Sequence, residues 1–127
     1  MTAERRQRRS DERCEALLLQ LDACRERGVL DAMILADRDG LCVATAGGPE
    51  ASDSTCTEIA AQLPMIGDDM PSTDGLVLAS GSLWNVHVRR FDMQGYPLYL
   101  CAVGGSGAER AGAVDSSVSG VGRILGS

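Results

Sequence analysis

The chain has 127 residues, enough for one domain with a core of its own and too few for two. Apolar residues make up 44% of the sequence, which favours a soluble globular protein over a disordered one. The longest apolar runs, of about six residues, are far shorter than the roughly 20 residues of a membrane-spanning helix. The charged N-terminus is not followed by an apolar stretch, as it would be in a secretory signal, so we expect a cytoplasmic protein.

Charge is unevenly distributed along the chain, and lysine is absent, which excludes a P-loop nucleoside triphosphatase and Schiff-base catalysis. Residues 1–9 contain four arginines and one glutamate, whereas the other residues contain eight arginines and seventeen acidic residues. An acidic body argues against nucleic-acid binding, in which phosphate contacts dominate the affinity. We therefore predict a basic, disordered arm over residues 1–9, open to an acidic partner, nucleic acid or anionic lipid, and a single domain over residues 10–127 without membrane insertion.

The first half of the domain reads as a helix followed by a β-hairpin. Apolar residues spaced by three and four predict an amphipathic helix over residues 10–27. Two apolar runs follow at residues 32–36 and 41–46, joined by a turn that ends in Asp39 and Gly40. Both faces of these two strands are apolar, so we expect both faces of the sheet to be covered there.

A second helix is predicted to begin at Thr55, where Thr55 and Glu58 fit a capping box. Pro64 is expected to end or kink this helix, since proline lacks the backbone N–H and clashes with the preceding turn. Met65 and Ile66 continue as an apolar stretch beyond that break.

Three strands, over residues 75–80, 83–91 and 97–103, and a helix over residues 108–125 complete the chain. The last strand is apolar on both faces, which places it in the middle of the sheet. The element order is therefore α-β-β-α-β-β-β-α. This order predicts an α+β three-layer sandwich, a five-stranded antiparallel sheet with helices on both faces.

The element order resembles that of the Roadblock/dynein light-chain domain family, which includes bacterial partners of Ras-like GTPases. The resemblance covers residues 11–125, and its motifs are Gly28-Val29 and residues 33–36, 37–41 and 58–61. It implies that residues 10–127 form a Roadblock-like homodimer in which the middle helices pair and the third strands join across the two-fold axis. The composite surface of such a dimer binds a small GTPase, a motor or a scaffold protein.

Several residues are candidates for this dimer or partner interface. The third predicted strand is apolar and uncharged, a poor exposed edge unless it is paired, and the methionines near the middle helix suit an adaptable contact. Arg89 is either a solvated surface residue or an arginine finger for a bound GTPase. Family members usually continue the middle helix past Pro64, so a break there would alter the dimer groove. The candidate interface residues are Ile59, Leu63, Met65, Ile66, Met70, Leu76, Leu78, Trp84 and Arg89.

No residue pattern indicates catalysis, a cofactor or a metal. The five cysteines are odd in number and form no C-x-x-C pair, so we expect buried reduced thiols. A zinc or redox site of Cys42, Cys101 and His87 is the alternative, although it lacks the spacing and the number of ligands. The glycine-rich residues 104–107 miss a phosphate-binding motif because Arg110 occupies the position of its last glycine.

We therefore expect a dimeric, non-enzymatic module that regulates or localises a Ras-like small GTPase by binding its switch regions. One alternative is a small-molecule or redox sensory module on a related sandwich fold. Another is a scaffold dimer that has no GTPase partner. No cofactor is expected for the first of these functions.

Overall fold

A computed structural model of the chain describes residues 2–48, 51–69, 76–77 and 83–126. In chain order the elements are helix α1 (Thr2–Gly28), strands β1 (Ala32–Asp37) and β2 (Cys42–Gly47), helix α2 (Asp53–Asp69), strands β3 (Leu76–Val77), β4 (Leu83–Trp84), β5 (Val86–Met93) and β6 (Tyr96–Val103), and helix α3 (Gly107–Leu125). None of the helices in this part of the chain is long and apolar enough to cross a membrane.

The sheet differs from the expected five strands. Four antiparallel strands pair in the order β2-β1-β6-β5, and β3 pairs with β4 in a separate two-stranded ladder. The predicted strand over residues 83–91 is divided at Asn85, whose carbonyl accepts a hydrogen bond from the Gly104 N–H at 2.9 Å. Its first two residues pair with β3, and its remainder pairs with β6. Of the predicted strand over residues 75–80, only Leu76 and Val77 lie within the described residues.

Helices cover both faces of the four-stranded sheet, as the α+β sandwich requires. Helix α2 packs on one face and helices α1 and α3 on the other. Alternate residues of β1 point to opposite sides, so Ile34 packs toward α2 while Met33 and Leu35 pack toward α1 and α3. All three side chains are completely buried because β1 lies between β2 and β6 in the sheet. Each such burial contributes about 1.5–3 kcal/mol to stability.

Strand β2 is not covered on both faces, contrary to the sequence-based expectation. Ala44 and Ala46 are buried toward α1, but Cys42 and Val43 are exposed. The physical reason is that β2 is an outer strand of the sheet, where the packed side chains of the helices no longer cover the strand completely.

Helix α1 begins at Thr2, well before the predicted start at Ser10. Its backbone therefore includes residues 2–9, and the division between a basic arm and the domain stays a prediction. The buried stripe of α1 consists of Leu17, Leu21 and Cys24, at the spacing expected for an amphipathic helix.

Helix α2 begins at Asp53 rather than at Thr55, and it continues through Pro64 to Asp69, so the predicted start and the predicted end of the helix at Pro64 are wrong. Its cap is Ser52, whose hydroxyl accepts from the Thr55 N–H at 3.3 Å. An interior proline costs a helix about 3 kcal/mol. The complete burial of Leu63 and its neighbours against the sheet outweighs that cost, because each large apolar side chain contributes about 1.5–3 kcal/mol.

Helix α3 begins at Gly107, one residue before its predicted start, with Ser106 as its N-cap and Glu109 completing a capping box. Its buried face includes a charged residue, Arg110, and a buried serine, Ser117. Ala111 lies one turn before the buried Val114, so apolar spacing would place it on the same face, but it is only partly buried. The buried face is thus turned slightly from the one that apolar spacing alone indicates.

Candidate functional site

The middle helix α2 has an inner and an outer face, and most of its large apolar residues lie on the inner one. Ile59, Leu63 and Ile66 are buried within the chain, packed against the sheet. Met65 is 62% exposed, and it shares the outer face with small and polar residues such as Ala61. Of the candidate interface residues on α2, Met65 is the one whose side chain is presented to solvent.

The turn between β1 and β2, at residues 37–41, packs closely against α2. The Asp37 Oδ1 accepts hydrogen bonds from the N–H groups of Asp39, at 2.9 Å, and Leu41, at 3.0 Å. Gly40 has a φ of +80°, and a Cβ built on it would lie 3.0 Å from the Cα of Ala61 in α2. A side chain at this position would therefore separate the turn from the helix.

The end of α2 is docked through a second glycine. A Cβ on Gly67 would lie 2.5 Å from the Cδ1 of Tyr99, a fully buried ring on β6. The absence of a side chain thus lets the Tyr99 ring lie directly against the helix backbone. This contact holds the last turns of α2 close to β6.

Trp84 is half-buried and packs against the α2 side of the core. Its indole Nε1 is buried and has no hydrogen-bond partner among the described residues, which is costly for a group of this kind. The neighbouring residue Leu83 is 68% exposed, and both residues pair with β3. This two-stranded ladder therefore combines an exposed leucine with an unsatisfied indole N–H.

The remaining candidate interface residues are separated from this surface or lie outside the description. Arg89 is on the opposite face of the sheet, where it forms an exposed ion pair with Asp115 of α3. Leu76 belongs to β3, where the description covers only the backbone. Met70 and Leu78 fall outside the described residues. The structure thus groups Met65 and Trp84 on the α2 side and separates them from Arg89.

The alternative zinc or redox site is not assembled. Cys101 is buried on the α2 side of the sheet, whereas His87 pairs with Ala102, whose side chain belongs to the other face. Cys42 is exposed, as is Cys14, so the prediction that the cysteines are buried holds for only three of the five. No group of three or more potential ligands that could hold a metal is found among the described residues.

Two of the thiols on the α2 side have raised pKa values. Burial raises the pKa of Cys101 far above its usual value, and the neighbouring Cys56 adds to the effect. Cys42 is exposed as a residue, but partial burial of its thiol, with a contribution from Cys56, also raises its pKa. Thiols with raised pKa values are poor nucleophiles at neutral pH.

The glycine-rich loop at residues 104–107 is closed to phosphate by its own contacts. The buried guanidinium of Arg110 donates through Nη1 to the carbonyls of Gly104, at 3.0 Å, and Gly105, at 2.7 Å. The Glu109 carboxylate accepts from the Ser106 N–H at 3.1 Å and occupies the place of an anion at the helix N-terminus. No sequence pattern indicated this role of Arg110, whereas the spacing of Ser106 and Glu109 is a capping-box signal that identifies the role of Glu109.

Comparison with solved structures identifies the fold, whereas comparison of sequences finds no match. No family model matches the chain, and no curated protein matches its sequence. Among solved structures it is similar to Myxococcus xanthus MglB, with a TM-score of 0.59 and 9% sequence identity over 87% of this chain and 88% of that chain. At this identity the likeness concerns the fold alone, and the chain has a roadblock-like fold.

Proposed function

We propose that this protein is a cytoplasmic, dimeric and non-catalytic interaction module that regulates or localises a Ras-like small GTPase. The observation that carries the proposal is the roadblock-like fold shared with MglB over 87% of the chain. The Roadblock family, which the sequence resembles, includes bacterial partners of such GTPases. The proposed action is binding to the switch regions of the GTPase, which shifts their populations without chemistry by this chain.

We assign the dimer interface to the outer face of α2 and to the β3–β4 ladder. Exposed Met65 and Leu83 offer apolar area to a second copy, and the partly exposed ring of Trp84 adds to it. Leu76, with Met70 and Leu78 beyond the described residues, would extend this interface along the third strand. The buried residues Ile59, Leu63 and Ile66 would not touch the second copy, but they would hold α2 in place against the sheet.

Arg89 has a different place in the proposal. It lies on the α3 side of the sheet, so it would contact a GTPase bound there and not the second copy of this chain. To reach a bound GTPase its guanidinium would have to leave Asp115, which is feasible because both side chains are exposed and such pairs contribute only about 0–1 kcal/mol.

Association of the purified protein tests the dimer. Sedimentation velocity at concentrations on the order of 10 µM is expected to give twice the chain mass of 13.4 kDa. Met65→Glu and Leu83→Glu each place a charge in the proposed interface and should yield monomer. Tyr96→Glu, a change at an equally exposed residue on the β5–β6 hairpin, is the matched control and should remain dimeric. A monomeric native chain would contradict the dimer.

A pull-down tests the partner. Immobilised protein is incubated with small Ras-like GTPases from the same genome, each loaded with GDP or with a GTP analogue. The proposal expects at least one GTPase to be retained in a nucleotide-dependent manner. If the chain is a dimer and retains none of them, a scaffold role replaces the proposed one.

A further inference from the structure

The outer edge of β2 differs from the other edge of the four-stranded sheet. In the described part of the chain β2 has no neighbour on its outer side. Its sequence, Cys-Val-Ala-Thr-Ala-Gly, contains neither a charged residue nor a proline. Strand β5, at the opposite edge, carries Arg89, Arg90 and Asp92, and charges of this kind protect an edge against pairing with other chains. The β2 edge lacks that protection.

The backbone of β2 presents hydrogen-bonding groups to the outside. The Gly48 N–H donates to the Asp31 carbonyl at 2.8 Å, so Gly48 faces β1. Because antiparallel strands alternate, Ala46 also faces β1, whereas the N–H and C=O groups of Thr45 and Gly47 point away from it. These are the groups that an added strand would pair with.

A groove with an apolar wall runs beside this edge. Leu19 of α1 is 64% exposed, and Leu18 is also exposed, because the core contacts of α1 are made by another stripe of the helix. The groove between α1 and β2 has a volume of about 330 Å³. Its lining consists of Leu18, Leu19, Asp22, Thr45, Ala46 and Gly47. Exposed Val43 continues the apolar surface along the strand.

The rim of the groove is acidic. Glu15 precedes Leu19 by four residues, Asp22 follows it by three and Glu26 by seven, so these carboxylates lie on the same side of α1 as Leu19. One cation lies among these three carboxylates, since Arg25 contacts Asp22 at 2.8 Å and Glu26 at 3.8 Å. From residue 10 onward the chain has eight arginines against seventeen acidic residues. Two copies of this surface would therefore repel each other, whereas a basic partner would be attracted.

We propose that the β2 edge and the groove beside it bind an extended segment of another protein, in which alternating apolar residues are flanked by arginine or lysine. The segment adds to the sheet as an antiparallel strand, pairing with the outward groups of Thr45 and Gly47. Its apolar side chains pack on Leu18 and Leu19, and its basic residues lie beside Glu15 and Asp22. This surface is separate from the one assigned to the dimer, so the proposal does not depend on the dimer or the GTPase.

The test uses fluorescently labelled peptides and the full chain. The probe has the sequence Arg-Arg-Val-Thr-Val-Thr-Val-Arg-Arg. One control peptide replaces the four arginines by glutamates, and another replaces the central valine by proline, which cannot continue a strand ladder. Fluorescence anisotropy is expected to give at least about tenfold tighter binding for the probe than for either control.

Variants of the chain locate the site. Thr45→Pro removes an outward N–H, and Leu19→Glu places a charge in the groove; each is expected to weaken binding of the probe by about tenfold or more. Tyr96→Glu makes the same charge change as Leu19→Glu at a comparably exposed residue, and it should leave binding unchanged. Leu19 is on the exposed side of a helix, so Leu19→Glu remains informative even if Thr45→Pro does not fold.

Three results would overturn the proposal. Equal binding of the proline peptide would show that no strand is added. Equal loss of binding in Leu19→Glu and Tyr96→Glu would show a general charge effect. Native dimers that dissociate on Thr45→Pro but survive Met65→Glu would show that a second copy of this chain is the occupant of the edge.

Discussion

The two faces of the sheet are covered in different ways, and this difference decides which apolar residues remain at the surface. On one face, α2 is the helix that packs on the sheet, and Ile59, Leu63 and Ile66 are all buried. On the other face both α1 and α3 pack against the sheet, and Leu18 and Leu19 of α1 remain exposed. Helix α2 thus buries three of the four large apolar residues among its described side chains and exposes Met65, whereas α1 exposes the adjacent Leu18 and Leu19.

Truncation of one leucine on α2 and of one on α1 tests this difference most directly. Leu63→Ala should lower the free energy of unfolding by about 3 kcal/mol, because it leaves a cavity between α2 and the sheet. Leu19→Ala should change it by less than about 0.5 kcal/mol, because that side chain is largely in solvent. Urea unfolding of the two variants measures both values. Similar losses in the two variants would contradict the contrast between the faces.

A pair of glycine substitutions extends the comparison. Gly67→Ala should destabilise the protein by about 2 kcal/mol, since the new Cβ would overlap the ring of Tyr99. Gly112→Ala in α3 should stabilise it by about 1 kcal/mol, because no atom lies within 4 Å of the added Cβ and alanine favours a helix. Thermal unfolding measures both effects. A stabilising Gly67→Ala would mean that α2 is not held against Tyr99.

Pro64 tests how firmly packing holds α2 to the sheet. Pro64→Ala restores a backbone donor inside the helix and should raise the free energy of unfolding by about 1.5 kcal/mol. Urea denaturation measures the gain, and Gly112→Ala supplies the scale of an ordinary helix-stabilising change. A loss of stability would indicate that the Pro64 ring makes contacts the helix needs.

The buried thiol of Cys101 should make the free energy of unfolding dependent on pH in the alkaline range. Burial raises the pKa of Cys101, so above pH 9 the unfolded chain releases a proton that the folded chain keeps. The free energy of unfolding should then fall by about 1.4 kcal/mol per pH unit for this thiol, and it should not change on its account below about pH 8. Comparing alkaline stability profiles of Cys101→Ala and Cys14→Ala checks this. Only Cys101→Ala should flatten the profile.

Local patterns predicted the helices and the β1–β2 hairpin, because their signals are spacings within a few residues, whereas the roadblock-like fold was implied by the resemblance to that family. The pattern over residues 83–91 failed to predict the break at Asn85, because the two parts of this segment pair with different and distant strands, β3 and β6. The sequence also pointed to Ile59 and Leu63 as interface candidates, although both are buried in the chain. Periodicity identifies an apolar face but does not say whether the chain itself or a partner covers it.

The sequence by itself determined the alternation of elements, the antiparallel hairpins and the absence of a lysine-based site, since these depend on residue types and short spacings. Tertiary structure decided the path of α2 through Pro64, the closing of the glycine-rich loop by Arg110 and the exposure of Leu19 beside β2. Each of these depends on which distant residue occupies the adjoining space. Packing energies of several kcal/mol override local preferences of about 1–3 kcal/mol, and only the folded chain determines where they act.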